Sequence, residues 1–401
     1  MKVTTLTFDA VKSLSKPQKY VYNFIKMQES EGDLANVRFV QDTAVNWAPK
    51  AVFSRSVADF ADMSFLEFME SLQVYYGPKI LGENLFRKIY SKKLNPDAKK
   101  ILSTPAEKLI NENSKHKDDL MPVKAAIAVS ALAIPLMEYS LNYVKNIFTL
   151  KLFKQADFNN IANLNKNKSE DKQKQDKVKK SAKKHIKIAA GLLSGCLALS
   201  ALLVVRGKKS ASLKYLSELI LAPGNKIFKN KEKAASFNKC FSIDFKDDNG
   251  KLGLSRGQLT ACVLAGFFGY TGAAKDRGNQ NFKEVLYRYP LVGLYVITGS
   301  EKLEEAFKMV LRKNPKYKDI IDEKLKVPGL KALPELAKSL AEKNQTSQQF
   351  EYKKLFKQKA MITAVPFFFG IGFMGLFVAG ISRYFTQYRF AKEQEKAKNQ
   401  H

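Results

Sequence analysis

The feature that most constrains this chain is the alternation of uncharged apolar runs with stretches that are dense in lysine. The longest run, 360–382, has 23 residues and is flanked by Lys359 and Arg383. About 20 apolar residues cross the hydrocarbon core of a bilayer, so this run predicts a transmembrane helix. The run 188–205, with 18 uncharged residues, predicts a second one.

Three further apolar segments are weaker. In 122–144 the uncharged stretch from Ala125 to Met137 has only 13 residues, so by length it could also be a core or re-entrant helix. The segment 257–274 predicts a membrane helix that is rich in small residues. The 12 uncharged residues of 289–300 are too few to span, and they favour an interfacial or re-entrant segment or a core helix.

These segments predict an all-α integral membrane protein with three or four transmembrane helices. Composition sets the boundaries of the other regions: a mostly helical soluble region over 1–121, a Lys-rich linker over 145–187, a loop over 206–256, an amphipathic region over 275–359 and a basic tail over 383–401. Within the loop, Asn249-Gly250 between apolar residues predicts a small hairpin.

The net charge of +30 points to an anionic partner, either a lipid surface or a nucleic acid. A chain rich in Lys, Asn, Ile and Phe is also what an AT-rich genome encodes, so part of the excess has that alternative cause. The segment 163–187 holds ten Lys against three acidic residues beside an apolar run, which predicts attraction to anionic lipid head groups. No recognised nucleic-acid-binding motif accompanies the charge, so the lipid surface is the favoured partner.

The ligand-type residues predict neither a metal site nor a bound cofactor. Three Cys, at 196, 240 and 262, and three His, at 116, 185 and 401, are not paired at ligand spacing. The helix over 54–78 carries four carboxylates within about 140° of its surface. We expect them to form a solvated acidic face rather than a metal site, because the Glu-x-x-His pattern is absent: Asp59, Asp62, Glu67 and Glu70.

The glycines before Lys275 raise the question of a phosphate-binding loop. Lys275 follows Ala274 and precedes Asp276, so neither the Walker pattern nor the dinucleotide-binding pattern is present. On a helix, instead, one face carries only small residues: Ala261, Ala265, Gly266, Gly269, Gly272 and Ala273. We expect Lys275, Asp276 and Arg277 to mark the exit of this helix into a polar loop.

The run 188–205 has a related small-residue face with Gly191, Gly195 and Ala198. Lipid is as apolar as leucine, so membrane helices associate by close backbone approach along such faces. The sequence therefore predicts that the helices over 188–205 and 257–274 pack directly on each other. The polar residues inside the apolar segments that are candidates for function are Glu138, Tyr270 and Thr271, with an interfacial position as the alternative for Glu138.

The sequence thus favours a non-enzymatic membrane-anchored scaffold that binds a partner or anionic lipid. No cluster of acid, base and nucleophile stands out as catalytic. A transporter or channel component working as an oligomer, and a membrane-bound enzyme acting on lipid or envelope substrates, remain alternatives. A homo-oligomer or a second membrane protein is the expected protein partner. The first 20 residues contain no apolar core of signal-peptide length, which predicts a cytosolic N-terminus and the cytoplasmic membrane.

Overall fold

The computed structural model describes residues 11–29, 36, 39–40, 42–77, 80, 117–165, 169–243, 245–248 and 251–399. In this part of the chain the structure is helical apart from one two-stranded hairpin. The helices in chain order are α1 (Lys16–Gln28), α2 (Ala48–Val52), α3 (Val57–Ser71), α4 (Lys117–Ala131), α5 (Ala133–Phe153), α6 (Phe158–Ile161), α7 (Lys172–Arg206), α8 (Ala211–Leu221), α9 (Gly224–Ile227), α10 (Lys231–Phe241), α11 (Arg256–Arg277), α12 (Asn279–Leu294), α13 (Ser300–Arg312), α14 (Leu333–Asn344), α15 (Gln348–Gly370) and α16 (Ala379–Lys398).

Short π-helical stretches at Thr43–Trp47, Leu72–Tyr76, Tyr295–Gly299 and Ile371–Val378 adjoin these helices. The segment 289–300 is therefore helical, comprising the end of α12 and a π-helical turn. The hairpin pairs β1 (Phe245–Asp248) antiparallel with β2 (Lys251–Leu254), and Asp248 stands opposite Lys251. This register confirms the hairpin predicted from Asn249-Gly250.

The chain divides into two compact units, and the predicted N-terminal region is split between them. The smaller unit comprises Met1–Val37 and Thr298–Phe373, and the larger comprises Arg38–Ile297 and Met374–His401. The predicted region 1–121 is therefore divided between the two units at Val37. In the smaller unit, α1 contributes Ile25 to a core shared with α14 and α15, and the Glu29 carboxylate accepts a hydrogen bond from the Leu330 amide.

The larger unit is built around α5. This helix packs against α3, α7 and α11, and α7 runs antiparallel to α4 and α5. At one end of that pairing, Ser200 Oγ donates to the Ala126 carbonyl at 2.8 Å and contacts Ser130 Oγ. At the other end, Lys174 pairs with Asp157 just beyond the end of α5. Small residues of α4, with Ser200 and Leu203 of α7, lie at the contact between the two helices, and the charged half of α7 extends along α5.

Among the described residues, three helical runs are long and apolar enough to cross a membrane: Met121–Phe153, Lys172–Arg206 and Gln348–Lys398. The helix over 257–274 is present as α11 but is not one of the three, so a fourth span is not confirmed. Glycines, threonines and Gln258 lower its apolar content. In the most apolar part of the first run 83% of the residues are buried within the protein, against 17% and 28% for the other two.

The stretch 145–187 is not a linker, contrary to the sequence prediction. Helix α5 continues to Phe153, and α7 begins at Lys172. The lysines of 172–187 are therefore the first half of the same 35-residue helix that contains the apolar run 188–205. Two features favour continuous helix: Asp171 caps its start through the Gln173 amide, and lysine is a good helix former.

The predicted pairing of the two small-residue faces is also wrong. A Cβ placed on Gly191 or Gly195 would meet nothing within 4 Å, so these glycines contact no neighbouring helix in the described structure. The small face of α11 lies instead on α5, where a Cβ at Gly269 would be 2.3 Å from the Tyr139 carbonyl oxygen. The spacing of small residues identifies a face for close approach but does not identify its partner.

We predict that Gly269→Ala destabilises the protein whereas Gly195→Ala does not. The added methyl at Gly269 has to displace the backbone of α5, and overpacking of this kind costs about 1–3 kcal/mol. At Gly195 the methyl meets open space, and alanine is the better helix former by up to about 1 kcal/mol. Thermal unfolding of both variants in detergent measures the difference, and equal effects would contradict the α5–α11 packing.

Candidate functional site

The first half of α7 presents a face of lysines. Seven of the eight lysines between 172 and 187 are exposed, and Lys174 is partly buried beside Asp157. At about 100° per residue the seven fall within about 160° of the helix surface, opposite the buried Val178 and Ala182. They are Lys172, Lys177, Lys179, Lys180, Lys183, Lys184 and Lys187.

The same face of α7 becomes apolar after Lys187. Its exposed large residues there include Leu197, Leu202 and Val205. Gly191, Gly195 and Ala198 are exposed on this face as well. One continuous helix surface therefore changes from strongly cationic to uncharged within a single turn. A surface of this kind is suited to the boundary between an aqueous phase and a bilayer.

A cluster of buried charged groups lies inside the larger unit, beside the basic half of α7. At its centre the Asp62 carboxylate accepts two hydrogen bonds from the Arg277 guanidinium, both 2.8 Å long. Lys145 Nζ lies 3.4 Å from Asp62 Oδ2, and Thr149 donates a further hydrogen bond to Asp62. This carboxylate thus joins α3, α5 and the C-terminal end of α11.

Burial by itself raises the pKa of Asp62. The positive charges of Arg277 and Lys145, with the hydrogen bonds to the carboxylate, outweigh burial and lower the pKa to about 2. The stabilisation from the Asp62–Arg277 pair is therefore complete at pH values above 3.8, the ordinary pKa of an aspartate. It is lost as the pH falls through about 2.

A second buried pair joins α12 to the start of α3. Arg55 Nη1 lies 2.9 Å from a Glu284 oxygen, and Arg55 Nε lies 3.1 Å from Asp59 Oδ2. The guanidinium also stands over the Phe158 ring at 5.1 Å from its centroid. Burial by itself raises the pKa of Glu284, but the charges of Arg55 and Arg288 outweigh it and lower the pKa.

A third pair fixes α2 against α3. Lys50 Nζ lies 2.6 Å from Glu67 Oε1, and both side chains are buried. Arg383 of α16 donates a 2.7 Å hydrogen bond to the Lys50 carbonyl. The three pairs leave buried charges compensated, which is the condition for tolerating them in an interior.

The predicted solvated acidic face of α3 is therefore wrong. Asp59, Asp62 and Glu67 are buried and paired with cations, and Glu70 is partly buried. Arg277 was expected at the exit into a polar loop, yet it is 1% exposed. The partners are separated by up to 229 residues in sequence, so periodicity along one helix could not reveal them. The available signal was the pair of apolar residues Met63 and Leu66, which lie within the same arc of α3 as the carboxylates.

Glu138 lies at the other end of the α3–α5 interface and is 4% exposed. Its carboxyl group is within hydrogen-bonding reach of the Glu70 carboxyl. Glu138 Oε1 also faces Gly266 of α11, 3.2 Å from where a Cβ would stand. Glu138 is therefore buried among α3, α5 and α11, and its interfacial position relative to a bilayer stays a prediction.

The other polar candidates have local partners. The Tyr270 hydroxyl accepts a hydrogen bond from Arg288, and Lys145 Nζ lies 4.7 Å from the centroid of the Tyr270 ring. Thr271 Oγ1 donates to the Phe267 carbonyl of its own helix at 2.7 Å, which is an ordinary intrahelical bond. The structure thus brings Tyr270 into the charge cluster and leaves Thr271 on the surface of α11.

The small residues of α11 contact α5 and α12 at several levels. A Cβ at Gly272 would meet the Tyr143 hydroxyl at 2.2 Å, and one at Gly266 would meet the Tyr289 hydroxyl at 2.1 Å. Ala273 is buried against Tyr143 and Ala182 of α7. Ala261 and Ala265 are partly buried.

Among the described residues, no group of three or more His, Cys, Asp or Glu side chains is arranged to hold a metal ion. No protein-family model matches the chain, and comparisons with curated proteins and with solved structures gave no significant match. The candidate site consists of the lysine face of α7 and the buried charge cluster beside it.

We predict that the buried Asp62–Arg277 pair is strongly coupled. Asp62→Leu leaves the Arg277 guanidinium buried without its carboxylate, which costs about 3–5 kcal/mol of unfolding free energy. Adding Arg277→Met removes the orphaned charge and recovers at least half of that loss. Unfolding in mixed SDS–detergent micelles measures both values.

The control is Glu218→Gln, which breaks the partly exposed pair with Lys226 in the same unit and costs about 0–1 kcal/mol. Simple addition of the Asp62 and Arg277 effects in the double variant would show that the two groups do not act as a pair.

Proposed function

We propose that this chain is an integral membrane protein that binds anionic lipid head groups through the lysine face of α7, and that it serves as a non-enzymatic membrane-anchored scaffold. The observation that carries this proposal is the continuous outer face of α7. Seven exposed lysines occupy its first half, and exposed apolar and small residues occupy its second half.

The dimensions of α7 fit this role. At 1.5 Å per residue, the 18 uncharged residues of 188–205 extend over about 27 Å, close to the thickness of a hydrocarbon core of about 30 Å. The lysine face then begins where the apolar face ends, at the depth of the phosphate groups. Each Lys near an anionic surface contributes about 1 kcal/mol of attraction.

An exposed apolar strip of this length is unfavourable in water, and lipid chains are the solvent that fits it. Leu192, Leu197 and Val205 are between 43% and 70% exposed. The Gln348–Lys398 run also exposes most of its apolar surface. Lipid contact along both runs accounts for apolar residues that the protein itself does not cover.

The proposed location is the cytoplasmic membrane, with the basic half of α7 and the N-terminus in the cytosol. Lysine-rich segments next to membrane helices are retained on the cytosolic side. Helix α3 packs on the part of α5 that lies beside the basic half of α7, which is consistent with the N-terminal part of the chain being on that same side. The partner that the scaffold would present or recruit is a second membrane protein or another copy of this chain.

We predict that anionic lipid stabilises the full-length protein more than zwitterionic lipid does, through these lysines. Adding phosphatidylglycerol to the protein in neutral detergent should raise the unfolding temperature more than phosphatidylcholine. Lys177→Gln/Lys180→Gln/Lys184→Gln should weaken phosphatidylglycerol binding on the order of 10- to 100-fold. At about 1 M salt the preference should disappear because the Debye length falls to about 3 Å.

The matched control removes the same charge elsewhere. Lys324→Gln/Lys338→Gln/Lys343→Gln changes three exposed lysines of the smaller unit and should leave the lipid preference intact. Equal loss in both triple variants would mean that net charge alone attracts lipid. No preference in the wild-type protein would refute the proposed function.

A further inference from the structure

A buried carboxylate oxygen in the larger unit lacks a donor. Within the described residues, Glu138 Oε2 is buried and has no hydrogen-bond partner. The Glu138 side chain is 4% exposed and extends from α5 toward the Glu70 carboxyl group of α3. Two ionised carboxylates can only accept hydrogen bonds, so this contact requires a proton on one of them.

The surroundings do not supply a compensating charge. The charged and titratable groups that face this pair come from α2, α3, α11 and α12 and from the residue that precedes the π-helical segment Thr43–Trp47. They are Glu67, Asp42, Lys50, Cys262, Tyr270 and Tyr289. The one cation among them, Lys50, is held at 2.6 Å by Glu67. Four carboxyl groups therefore face one ammonium group, and the excess negative charge is lowest when Glu70 and Glu138 share a proton.

The pair has a definite place in the α3–α5 interface. Asp62 contacts Lys145 and Thr149 at one end, and the Phe65 and Phe148 rings stack in the middle with centroids 4.4 Å apart. Glu70 and Glu138 form the contact at the other end. A repulsive carboxylate pair at this point would force the end of α3 away from α5.

We propose that Glu70 and Glu138 form a proton-binding site, and that the shared proton holds the end of α3 against α5. This site is separate from the lysine face of α7 and does not depend on the proposed lipid binding. A proton is the ligand that fits, because among the residues that the structure describes no group of three or more acidic, His or Cys side chains could hold a metal ion.

The shared proton of Glu70 and Glu138 determines whether the stability of the protein rises or falls with pH. Burial raises the pKa of the Glu70 carboxyl well above its ordinary value of 4.5, and the negative charges of Glu138 and Glu67 raise it further. A folded state that binds more protons than the unfolded state loses stability as the pH rises. The contribution of this site to the free energy of unfolding is complete below pH 4.5, the ordinary pKa of a glutamate. It is lost as the pH rises through the raised pKa of Glu70.

The single tryptophan is a local reporter of this interface. Trp47 Nε1 donates a 2.8 Å hydrogen bond to Ser64 Oγ of α3, and the Trp47 ring contacts Phe68 at a centroid distance of 5.2 Å. Movement of α3 changes the environment of the indole. Its fluorescence can be followed in the full-length protein without a label.

The experiment measures Trp47 fluorescence, the unfolding temperature and infrared difference spectra of the full-length protein in neutral detergent between about pH 5 and about pH 9. The wild type should lose several degrees of unfolding temperature toward high pH. The carbonyl band of a protonated carboxylic acid should disappear over the same interval. Glu138→Gln provides N–H donors to Glu70, so it should remove the band and flatten both the fluorescence and the unfolding profile.

Glu70→Gln gives a second, independent variant with the same expected profile. The matched control is Glu395→Gln, which removes an exposed carboxylate from the same unit and should retain the wild-type profile. A flat wild-type profile, or variants that keep the wild-type slope, would overturn the proposal. The proposal would also be overturned if the unfolding temperature depended on sodium at constant pH, with choline as the reference ion, instead of depending on pH. The ligand would then be a metal ion.

Discussion

The outer face of α7 is the feature that most constrains the surroundings of the larger unit. Its inner side is committed to α4 and α5 through Ala182, Ala189 and Leu203. The outer side is therefore left to the solvent, and its two halves suit different solvents. Lysines need water or anionic head groups, and the uncovered apolar residues beyond Lys187 need lipid. The proposed position of α7 across a boundary between these phases satisfies both halves.

The interior of the larger unit is arranged consistently with that boundary. Helix α4, which lies beside the apolar half of α7, contributes small and apolar residues to that contact, and the Asp62 cluster lies toward the basic half. Asp62, Arg277 and Lys145 tie three helices together at this end, near the exposed lysine face. Each of these buried charges is compensated by its partner, and removing one partner would leave an uncompensated charge in the interior.

Local structure was predictable from the sequence, whereas the long-range contacts were not. The apolar runs and the Asn249-Gly250 turn correctly predicted helices and a hairpin, since these depend on short-range periodicity and turn chemistry. The small-residue face of α11 was correctly recognised as a surface for close approach. Its partner was not, because the face of α5 that receives it carries large residues such as Tyr139 and Tyr143 rather than a matching small-residue face, and only tertiary packing shows the contact.

The errors in the candidate site have the same cause. The carboxylates of α3 share one side of a helical wheel, which is also how a solvated acidic face would look. Their cations, Arg277 and Lys145, lie on helices far along the chain. The lysines of α7 looked like a linker because they lack apolar residues, yet the helix continues through them. Glu138 was recognised from the sequence, but its proximity to Glu70 depends on the antiparallel packing of α3 on α5.

The most direct measurement of the central claim is the depth of α7 in a bilayer. With Cys196, Cys240 and Cys262 replaced by alanine, spin labels are placed one at a time at positions 180, 184, 198 and 202 of the full-length protein in anionic proteoliposomes. Positions 18 apart lie at the same angle on the helix, so 180 matches 198 and 184 matches 202. We expect labels at 198 and 202 to be accessible to oxygen and shielded from a water-soluble nickel complex, with the reverse at 180 and 184. Equal access to nickel along both halves would contradict it.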